Sequence, residues 1–308
     1  MINDTDKIKN LLCDIICCPF CENDLSWDKK LVCNKCKEVY PISNKQIDLR
    51  LKKPKNINTT QILNNHSNAF HKNNKSDVYG FSFGYEKNNE GIDFSIINFS
   101  KKTRKPVSKL YSWLKKGEGI AIDIGSAKDK KNKKYIEVAG FNYISVDYDS
   151  PDAMILADAH SLPFKNNTIA CITNLAVMEH IEFPHIAGKE FFRVLESNGR
   201  MLGVVAFLQQ QHMSSWYHFT HYGVYSWLTN SGFNQNNIKI DGANQKYHGI
   251  YNTASLIGLP NWFKNILLSP IYYLHRFLWE IYFLKSGIKS EKQRHLQTTG
   301  AIHFIADK

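Results

Sequence analysis

Two pairs of cysteines near the N-terminus place the strongest constraint on how this chain can fold. Cys18 and Cys21 form one C-x-x-C sequence, and Cys33 and Cys36 form a second one after eleven intervening residues. Two such turns can direct four thiolates toward one tetrahedral zinc ion, at Zn–S distances of about 2.3 Å. Four protein ligands leave no open coordination position, so the predicted zinc is structural. A unit this small lacks a sufficient core, and the metal supplies the missing stability.

The remaining cysteines, Cys13, Cys17 and Cys171, follow no pairing pattern. Residues 1–10 are polar and include two aspartates, unlike a secretory signal. Metal ligation in a reducing compartment is therefore favoured over a disulfide framework. We expect a cytoplasmic protein.

Composition excludes several classes of protein. Aromatic residues make up 13% of the 308 residues and charged residues 22%, which excludes a chain that is disordered throughout. The net charge of +11 suits a nucleic acid or an anionic surface as partner, although abundant lysine alone also produces it. No run of about 18 uncharged apolar residues predicts a membrane span.

The sequence divides into three predicted parts. Residues 1–50 form the zinc module, and residues 51–116 form a linker followed by a helical and aromatic segment. Residues 117–308 form an α/β domain with a helical insertion at about 242–298. The aromatic patch at 79–85 is expected either to close over a ligand as a lid or to pack in the core.

Apolar segments from residue 118 onward alternate between strand and helix patterns, which predicts a parallel sheet with helices on both faces. The connection between the second and third strands, 149–153, is too short for a full helix. The predicted strands are 119–124, 143–147, 154–157, 168–173, 201–207, 236–240 and 301–306, with helices at 185–197 and 221–231 and a turn at 197–200.

Residues 262–284 are rich in aromatic and branched side chains, but Lys264, Arg276 and Glu280 interrupt the run. The segment is too short and too charged to span a bilayer, and Pro270 is expected to break it. We expect a pair of buried helices that cover the core. The alternatives are a lid over an apolar substrate and an interfacial helix that gives peripheral membrane contact.

The first strand of the α/β domain ends in D-I-G-S-A, residues 123–127. Gly125 lets a ligand approach the backbone closely, and the next helix points its N-terminus at that ligand. Asp147 ends the second strand, where an acid can accept hydrogen bonds from both ribose hydroxyls. These features indicate a ligand that contains a nucleoside.

Three further blocks follow in order: A-D-A-H-S-L-P-F at 157–164, T-N-L-A-V-M-E-H-I at 173–181, and E-F-F-R-V-L-E-S-N-G-R-M-L at 190–202. With the glycine turn, they resemble the class I S-adenosylmethionine-dependent methyltransferases, in particular the small-molecule branch, over about residues 118–240. The resemblance implies a Rossmann-like, doubly wound, seven-stranded sheet whose last strand is antiparallel. The first block argues against a nicotinamide-dependent enzyme. A Rossmann-like domain that binds no ligand is the other alternative.

The resemblance also implies which residues contact the cofactor, S-adenosylmethionine. It assigns the ribose to Asp147 and the transferred methyl group to Asn174. In this sequence, Ala127 and Asp129 replace two glycines of the family's turn, and alanine is small enough for binding to persist. The implied cofactor-binding residues are Asp123, Gly125, Ser126 and Ala127 at the methionine end, Asp147, Tyr148, Asp158 and Ala159 toward the ribose and adenine, and Asn174.

The cysteine module, which continues K-E-V-Y-P-I, has its own resemblance over about residues 16–50. It resembles the zinc ribbon fused to some methyltransferases and the small activator subunit shared by several tRNA and protein methyltransferases. It is less similar to the zinc finger of rRNA guanine methyltransferases. The resemblance implies that the ribbon positions a substrate or a partner.

Two segments that follow strands carry candidates for the acceptor side. His180 is the candidate general base, with a packing or capping role as the alternative. The segment 212–222 follows the fifth strand, and its histidines and aromatic residues can line a hydrogen-bonding pocket. The expected acceptor-binding residues are Glu179, His212, Tyr217, His218 and His221.

The leading expectation is methyl transfer, by direct displacement, to a small-molecule acceptor or a lipid- or saccharide-linked one. The alternative is an RNA methyltransferase, favoured by the zinc ribbon, the net charge and the basic run at 101–116. A non-catalytic scaffold that binds a partner is the third hypothesis. No N-P-P-Y sequence follows the fourth strand, which argues against methylation of exocyclic amines in nucleic acids.

Overall fold

The computed structural model describes residues 9–43, 46–53, 55, 110–126, 132–209, 214–243, 249, 258, 260–284 and 295–308. The aromatic patch at 79–85, most of the basic run at 101–116, Ala127, Asp129 and His212 lie outside these residues. In the part of the chain that is described, no helix combines the length and the hydropathy needed to cross a membrane.

The strands and longer helices are labelled in chain order. The strands are β1 Leu25–Trp27, β2 Lys30–Cys33, β3 Val39–Pro41, β4 Ile47–Asp48, β5 Ile120–Ile124, β6 Asn142–Asp147, β7 Ile155–Leu156, β8 Ile169–Leu175, β9 Leu195–Ala206, β10 Ile238–Gly242 and β11 Ala301–Asp307. The helices are α1 Lys133–Val138, α2 Pro184–Val194, α3 His221–Ser231 and α4 Asn261–Leu284. Short 3-10 helices lie at Met178–His180 and Gln235–Asn237.

The main sheet contains eight strands in the order β10-β11-β9-β8-β5-β6-β7-β4. Strand β11 runs antiparallel to both β9 and β10, whereas the other neighbouring strands pair in parallel. Strand β5, the first strand of the α/β body, lies in the middle of the sheet. Strands β6 and β7 follow on one side of it, and β8 and β9 follow on the other. The prediction of a doubly wound, Rossmann-like sheet with an antiparallel last strand is therefore confirmed.

The eighth strand of this sheet comes from the cysteine module, whose own small sheet has the order β1-β2-β3. Strand β4 pairs in parallel with β7, with Ile47 opposite Ile155. Ile16 forms a further bridge with Phe164. The module and the α/β body share one hydrophobic core, to which the module contributes Leu12, Ile16, Cys18, Leu31, Cys33, Tyr40, Ile47 and Leu49.

The connection between β6 and β7 is as short as the sequence predicts, with turns and no helix. The side-chain amide of Gln46, just before β4, donates to the carbonyl of Ser150 at 3.0 Å and to that of Ala153 at 2.9 Å. The cysteine module thus contacts the body where a longer connecting helix would otherwise lie.

Helix α2 ends at Val194, three residues earlier than predicted, and β9 begins at once. The predicted turn at 197–200 lies inside β9, where the pairing with β8 shifts register between Ile169 and Cys171. Asn198 adopts a positive φ of 73° there. A bulge of this kind absorbs extra residues while the strand continues, which a turn-forming sequence does not reveal.

The expectation of two buried helices over 262–284 is wrong. Helix α4 is continuous over 24 residues and contains Pro270 in its interior. Proline removes one backbone donor, but the flanking turns keep their hydrogen bonds and the helix passes through it. Much of the surface of α4 is exposed, including Trp262 and Phe277.

Candidate functional site

The cysteine turns bring four thiols together. The Sγ atoms of Cys18, Cys21, Cys33 and Cys36 all lie within 4.8 Å of one another. The sulfur of Cys18 is 3.7 Å from that of Cys36, and the sulfur of Cys21 is 3.4 Å from that of Cys33. A tetrahedral zinc ion separates its sulfur ligands by about 3.8 Å. The donor set therefore fits the predicted structural zinc.

Neighbouring groups orient these thiols. The Tyr40 hydroxyl lies 3.2 Å from the sulfur of Cys18, and the backbone N–H of Cys36 donates to the sulfur of Cys33 at 3.4 Å. Burial raises the pKa of the adjacent Cys17 thiol to about 12. Cys17 is not part of the four-cysteine cluster, as its spacing also predicts.

The carboxyl ends of β6, β5 and β8 meet at one edge of the main sheet. Ile124 pairs with Val146 on one side and with Asn174 on the other. The backbone N–H of Gly125 donates to the carbonyl of Val146 at 2.9 Å. This register brings Gly125, Asp147 and Asn174 to the same edge.

Gly125 adopts a φ of +66°, a left-handed conformation that favours glycine. A Cβ atom at this position would lie 2.3 Å from Cγ2 of Val177. The space beside the glycine is therefore filled by a side chain of the loop after β8. Both the backbone conformation and this contact require glycine.

Asp123 is fully buried beneath this edge. One carboxylate oxygen accepts hydrogen bonds from the Thr173 hydroxyl at 2.6 Å and the Asn132 amide at 2.8 Å. The other accepts from the Tyr143 hydroxyl at 3.0 Å. Burial raises the pKa of Asp123 in spite of these three donors. The resemblance implies contact with the cofactor, whereas the described contacts of this carboxylate join β5, β6, β8 and the start of α1.

Three buried side chains around this edge leave hydrogen-bonding atoms unused. The hydroxyls of Ser126 and Ser150 and both amide atoms of Asn174 have no hydrogen-bonding partner among the described residues. Buried polar groups in native proteins are nearly always paired. Ser126 and Ser150 follow β5 and β6, and Asn174 lies near the end of β8. Their unpaired polar atoms at one edge of the sheet indicate a site for a polar ligand.

Asp147 at the end of β6 and Asp158 in the loop after β7 each accept hydrogen bonds from the turn that follows. One oxygen of Asp147 accepts from the backbone N–H groups of Asp149 and Ser150, both at 3.2 Å. One oxygen of Asp158 accepts from the backbone N–H of His160 at 2.9 Å and lies 2.7 Å from its Nδ1. Burial raises the pKa of Asp158, but its hydrogen bonds with His160 bring the pKa below its ordinary value.

His160 was given no role in the sequence analysis, although it lies within the A-D-A-H block. Its Nε2 accepts from the backbone N–H of Phe183 at 3.3 Å, so it links the loop after β7 to the start of α2.

Ala159, next to His160 in the chain, is half-buried. Tyr148 exposes 60% of its surface, and its ring centroid lies 5.8 Å from the Arg50 guanidinium carbon. Contact of Tyr148 and Ala159 with a cofactor stays a prediction.

Glu190 and Arg193 fix the same loop from the other side. The guanidinium of Arg193 donates to both carboxylate oxygens of Glu190, each at 2.7 Å. It also donates to the carbonyls of Phe164 at 2.7 Å and Leu162 at 3.0 Å. These two residues of the E-F-F-R sequence therefore hold the L-P-F segment against α2.

A pocket of about 170 Å³ lies at the carboxyl ends of β8 and β9. Glu179 is fully buried in its wall, and one of its carboxylate oxygens accepts from the backbone N–H of Ala206 at 3.1 Å. Burial raises the pKa of Glu179. The lining residues are Leu110, Leu175, Ala176, Glu179, Val204, Val205, Ala206, Gln209, Ala301 and His303.

Sequence reasoning missed His303, although a histidine within the apolar strand A-I-H-F-I-A was a signal. Its ring packs edge-on against Trp113, with the centroids 6.0 Å apart. Trp113 and its neighbour Leu114 are buried, so this end of the predicted linker packs on the body. The pocket combines apolar walls with one carboxyl and one imidazole group.

His180 is half-buried at the end of the 3-10 helix and is not among the residues that line this pocket. Its role as a general base stays a prediction. The carbonyl of Glu179 accepts from the backbone N–H groups of Trp216 at 2.7 Å and Tyr217 at 3.2 Å. The segment after β9 is thereby held beside Glu179.

The other predicted acceptor residues lie along that segment. The hydroxyl of Tyr217 donates to the carbonyl of Glu182 at 3.0 Å. Nε2 of His218 lies 3.1 Å from the hydroxyl of Ser215. Burial lowers the pKa of His221, whose ring packs against Tyr222 with the centroids 4.4 Å apart. The backbone of Tyr217 contacts the Glu179 carbonyl, and of the predicted acceptor residues that the structure describes, Glu179 alone is among the pocket-lining residues.

Comparison with protein families gives two matches. Residues 107–203 match the family described as a methyltransferase domain, and residues 9–44 match the family described as Trm112p-like protein. The chain therefore combines a methyltransferase domain with a Trm112-like zinc ribbon, as the two resemblances imply. No curated protein matches the sequence of this chain.

Solved structures give more distant matches. Phosphoethanolamine N-methyltransferase 2 from Haemonchus contortus, in complex with S-adenosyl-L-methionine, is 12% identical with a TM-score of 0.41; the match covers 66% of this chain and 51%, about half, of that one. A structure of the complex that contains the Haloferax volcanii Trm112 methyltransferase activator is 13% identical with a TM-score of 0.45, over 66% and 88% of the two chains. A SAM-dependent methyltransferase from Archaeoglobus fulgidus is 13% identical with a TM-score of 0.45, over 68% and 95%.

Proposed function

We propose that this methyltransferase domain binds S-adenosylmethionine and methylates a small-molecule acceptor or a lipid- or saccharide-linked one. The observation that carries the proposal is the set of unused, buried hydrogen-bonding atoms of Ser126, Ser150 and Asn174. A ligand with an amino acid at one end and a nucleoside at the other offers polar groups along its whole length. The family match over residues 107–203 supports the reaction class.

The residues at the sheet edge suit the parts of this cofactor. Ser126 and Asn174 would pair with polar groups of the methionine end, and Asp147 would accept from the ribose hydroxyls. Asp158 has a lowered pKa and is ionised near neutral pH, so it is a good acceptor for the adenine amino group. When bound, the cofactor supplies a methyl group on a positively charged sulfur. The protein contributes binding and alignment of the acceptor.

The pocket at the carboxyl ends of β8 and β9 is the proposed acceptor site. Its walls are mainly apolar, and its volume of about 170 Å³ suits a small group or one end of a longer molecule. Glu179 and His303 are the two ionisable groups among its lining residues. A carboxyl group there can orient a hydroxyl or amine of the acceptor toward the methyl group. This arrangement favours a small acceptor over an extended nucleic acid.

The zinc ribbon would serve as a built-in support for the catalytic body. Strand β4 extends the sheet beside β7, and Gln46 binds the connection that follows Asp147. A ribbon at 1–50, a connecting part at 51–116 and a methyltransferase domain at 117–308 remain our proposed division of the chain. The function of the ribbon would be to hold the ribose side of the cofactor site in place.

Calorimetry with S-adenosylmethionine and S-adenosylhomocysteine tests the proposed cofactor. Replacing Asp147 with alanine should weaken binding by about 1.5–3 kcal/mol, the scale of hydrogen bonds to a charged group. The matched control is Asp149→Ala, since Asp149 is exposed in the same loop. Absence of binding by the wild-type protein, or an equal loss in both variants, would argue against the proposal.

Incubation of cell-extract fractions with methyl-labelled cofactor tests the acceptor class. Label in small metabolites, lipids or saccharide conjugates supports the proposal. Label in RNA would instead support the alternative of an RNA methyltransferase. Cofactor binding without transfer to any fraction, together with a stoichiometric co-purifying protein, would favour a scaffold.

A further inference from the structure

Helix α4 presents a large apolar surface to solvent. Among the α4 side chains that the structure describes, ten large hydrophobic ones are exposed, with between 39% and 65% of their surface accessible. Single exposed apolar residues are normal, but contiguous apolar patches of this kind usually mark a binding surface. The exposed residues are Trp262, Phe263, Ile266, Leu267, Ile271, Tyr273, Leu274, Phe277, Leu278 and Ile281.

Helix α4 has apolar residues on both sides, and one of these sides faces solvent. At about 100° per residue, the ten exposed positions fall within one half of the helix circumference. The opposite half contains Lys264, which exposes only 5% of its surface, and the half-buried Leu268, Tyr272, His275 and Trp279. A helix on the surface of a water-soluble body normally turns its apolar side inward. The exposed half of α4, its apolar face, is therefore suited to a non-aqueous contact.

The composition of this face favours lipid. Tryptophan, tyrosine and phenylalanine are the side chains enriched where a membrane meets water. Helix α4 spans about 36 Å at about 1.5 Å per residue, and within the described chain no helix is suited to crossing a bilayer. Such a helix can lie in the plane of the interface, with its apolar face among the lipid headgroups and upper acyl chains.

The charge of the chain points to an anionic lipid surface. Residues 285–294, which follow α4, contain four lysines and arginines and one glutamate. The whole chain carries a net charge of +11. Basic residues beside an interfacial helix are attracted to anionic headgroups by about 1 kcal/mol each. A second copy of this chain has the same positive charge, which disfavours pairing through this segment.

We propose that the apolar face of α4 docks the protein on the surface of an anionic lipid bilayer. The proposal concerns a surface distinct from the cofactor edge and the acceptor pocket. It stands whether the methylated acceptor is a lipid or a soluble molecule.

Vesicle co-sedimentation of the full-length protein tests this docking. We expect binding to phosphatidylcholine vesicles that contain about 30 mol % phosphatidylserine and much weaker binding to pure phosphatidylcholine. The triple variant Ile266→Gln/Leu274→Gln/Phe277→Gln should lose about tenfold or more in affinity, because three large apolar contacts are removed. The control Phe183→Gln removes a comparably exposed aromatic residue, 52% accessible, outside α4 and should bind as the wild type does.

Two charge-reversal variants distinguish the effect of the basic segment 285–294 on vesicle binding from the effect of the net charge. Lys285→Glu/Lys289→Glu should weaken binding, whereas Lys29→Glu/Lys30→Glu in the ribbon gives the same change in net charge and should have little effect. Unchanged circular dichroism and unchanged S-adenosylhomocysteine affinity show that each variant is folded. No binding of the wild type to anionic vesicles, or undiminished binding of the triple variant, would overturn the proposal. So would a wild-type dimer in analytical ultracentrifugation that the triple variant dissociates, since the face would then join two copies.

Discussion

Cγ2 of Val177 lies 2.3 Å from the position that a Cβ atom on Gly125 would occupy. Gly125 belongs to the turn after β5, and Val177 to the loop after β8. The two loops therefore fix each other's position at the edge where the cofactor is proposed to bind. A change at either residue should alter both stability and ligand affinity.

Replacing Gly125 with alanine tests this contact. The left-handed φ of +66° alone costs a side chain about 1–2 kcal/mol, and the overlap with Val177 adds to that cost. We expect a loss of about 2 kcal/mol or more in urea unfolding, together with weaker S-adenosylhomocysteine binding. The double variant Gly125→Ala/Val177→Ala should recover the part due to overlap but not the part due to φ. A single variant as stable as the wild type would refute the expectation.

Asp123 is expected to act mainly through structure. Its two oxygens accept from Thr173, Asn132 and Tyr143, so an asparagine would turn its own N–H₂ group toward at least one of these donors. Asp123→Asn should lower the free energy of unfolding by about 1–3 kcal/mol. Urea denaturation measures this loss, with the exposed Asp149→Asn as the control. Equal stabilities of the two variants would contradict this role.

The four-cysteine site should hold one zinc ion per chain. Cys33→Ser should abolish zinc in metal analysis, whereas Cys13→Ser, an exposed cysteine outside the cluster, should retain it. Because the ribbon shares a core with the α/β body, loss of the metal should lower the melting temperature of the whole chain. Retention of zinc by the Cys33 variant would show that the ligand set is different.

Glu179 gives a dependence of stability on pH. Burial raises its pKa in the folded chain above the ordinary value of 4.5. Below pH 4.5 the carboxyl is protonated in both the folded and the unfolded chain, so ionisation does not oppose its burial. As the pH rises through the folded pKa, ionisation favours the unfolded chain, so this contribution to stability is lost. Glu179→Gln should therefore gain stability relative to the wild type as the pH rises.

Melting temperatures between about pH 4 and pH 8 measure this difference. The control is Glu182→Gln, because Glu182 is exposed nearby. A constant difference between Glu179→Gln and the wild type across this range would mean that Glu179 ionises at its ordinary pKa.

Much of the α/β body could be predicted from local patterns. Strand β5 is an apolar run that ends in Asp-Ile-Gly, and α3 begins at residue 221, where the Thr220 side chain accepts from the backbone N–H of Gly223. The glycine turn and Asp147 predicted a nucleoside site, the family resemblance added Asn174, and the register of the parallel strands brings all three to one edge. The four cysteines were equally clear from their spacing.

What could not be predicted depends on contacts between distant parts of the chain. Strand β4 has two residues and no periodicity, and its partner β7 lies more than a hundred residues later. The exposure of α4 could not be read from its sequence, since an apolar helix can be buried or can face a non-aqueous surface. His303 enters the pocket because β11 lies next to β9, a pairing that no short motif announces.

The pairing of β4 with β7 also has a consequence for how the protein responds to dilution. The ribbon and the α/β body are parts of one molecule, so their association is set by the length of the intervening chain and not by the amounts of two free subunits. Each body keeps its own ribbon at a fixed ratio of one to one. A cell would have no need to balance the synthesis of two separate polypeptides, and this ribbon would not be withdrawn by a competing enzyme.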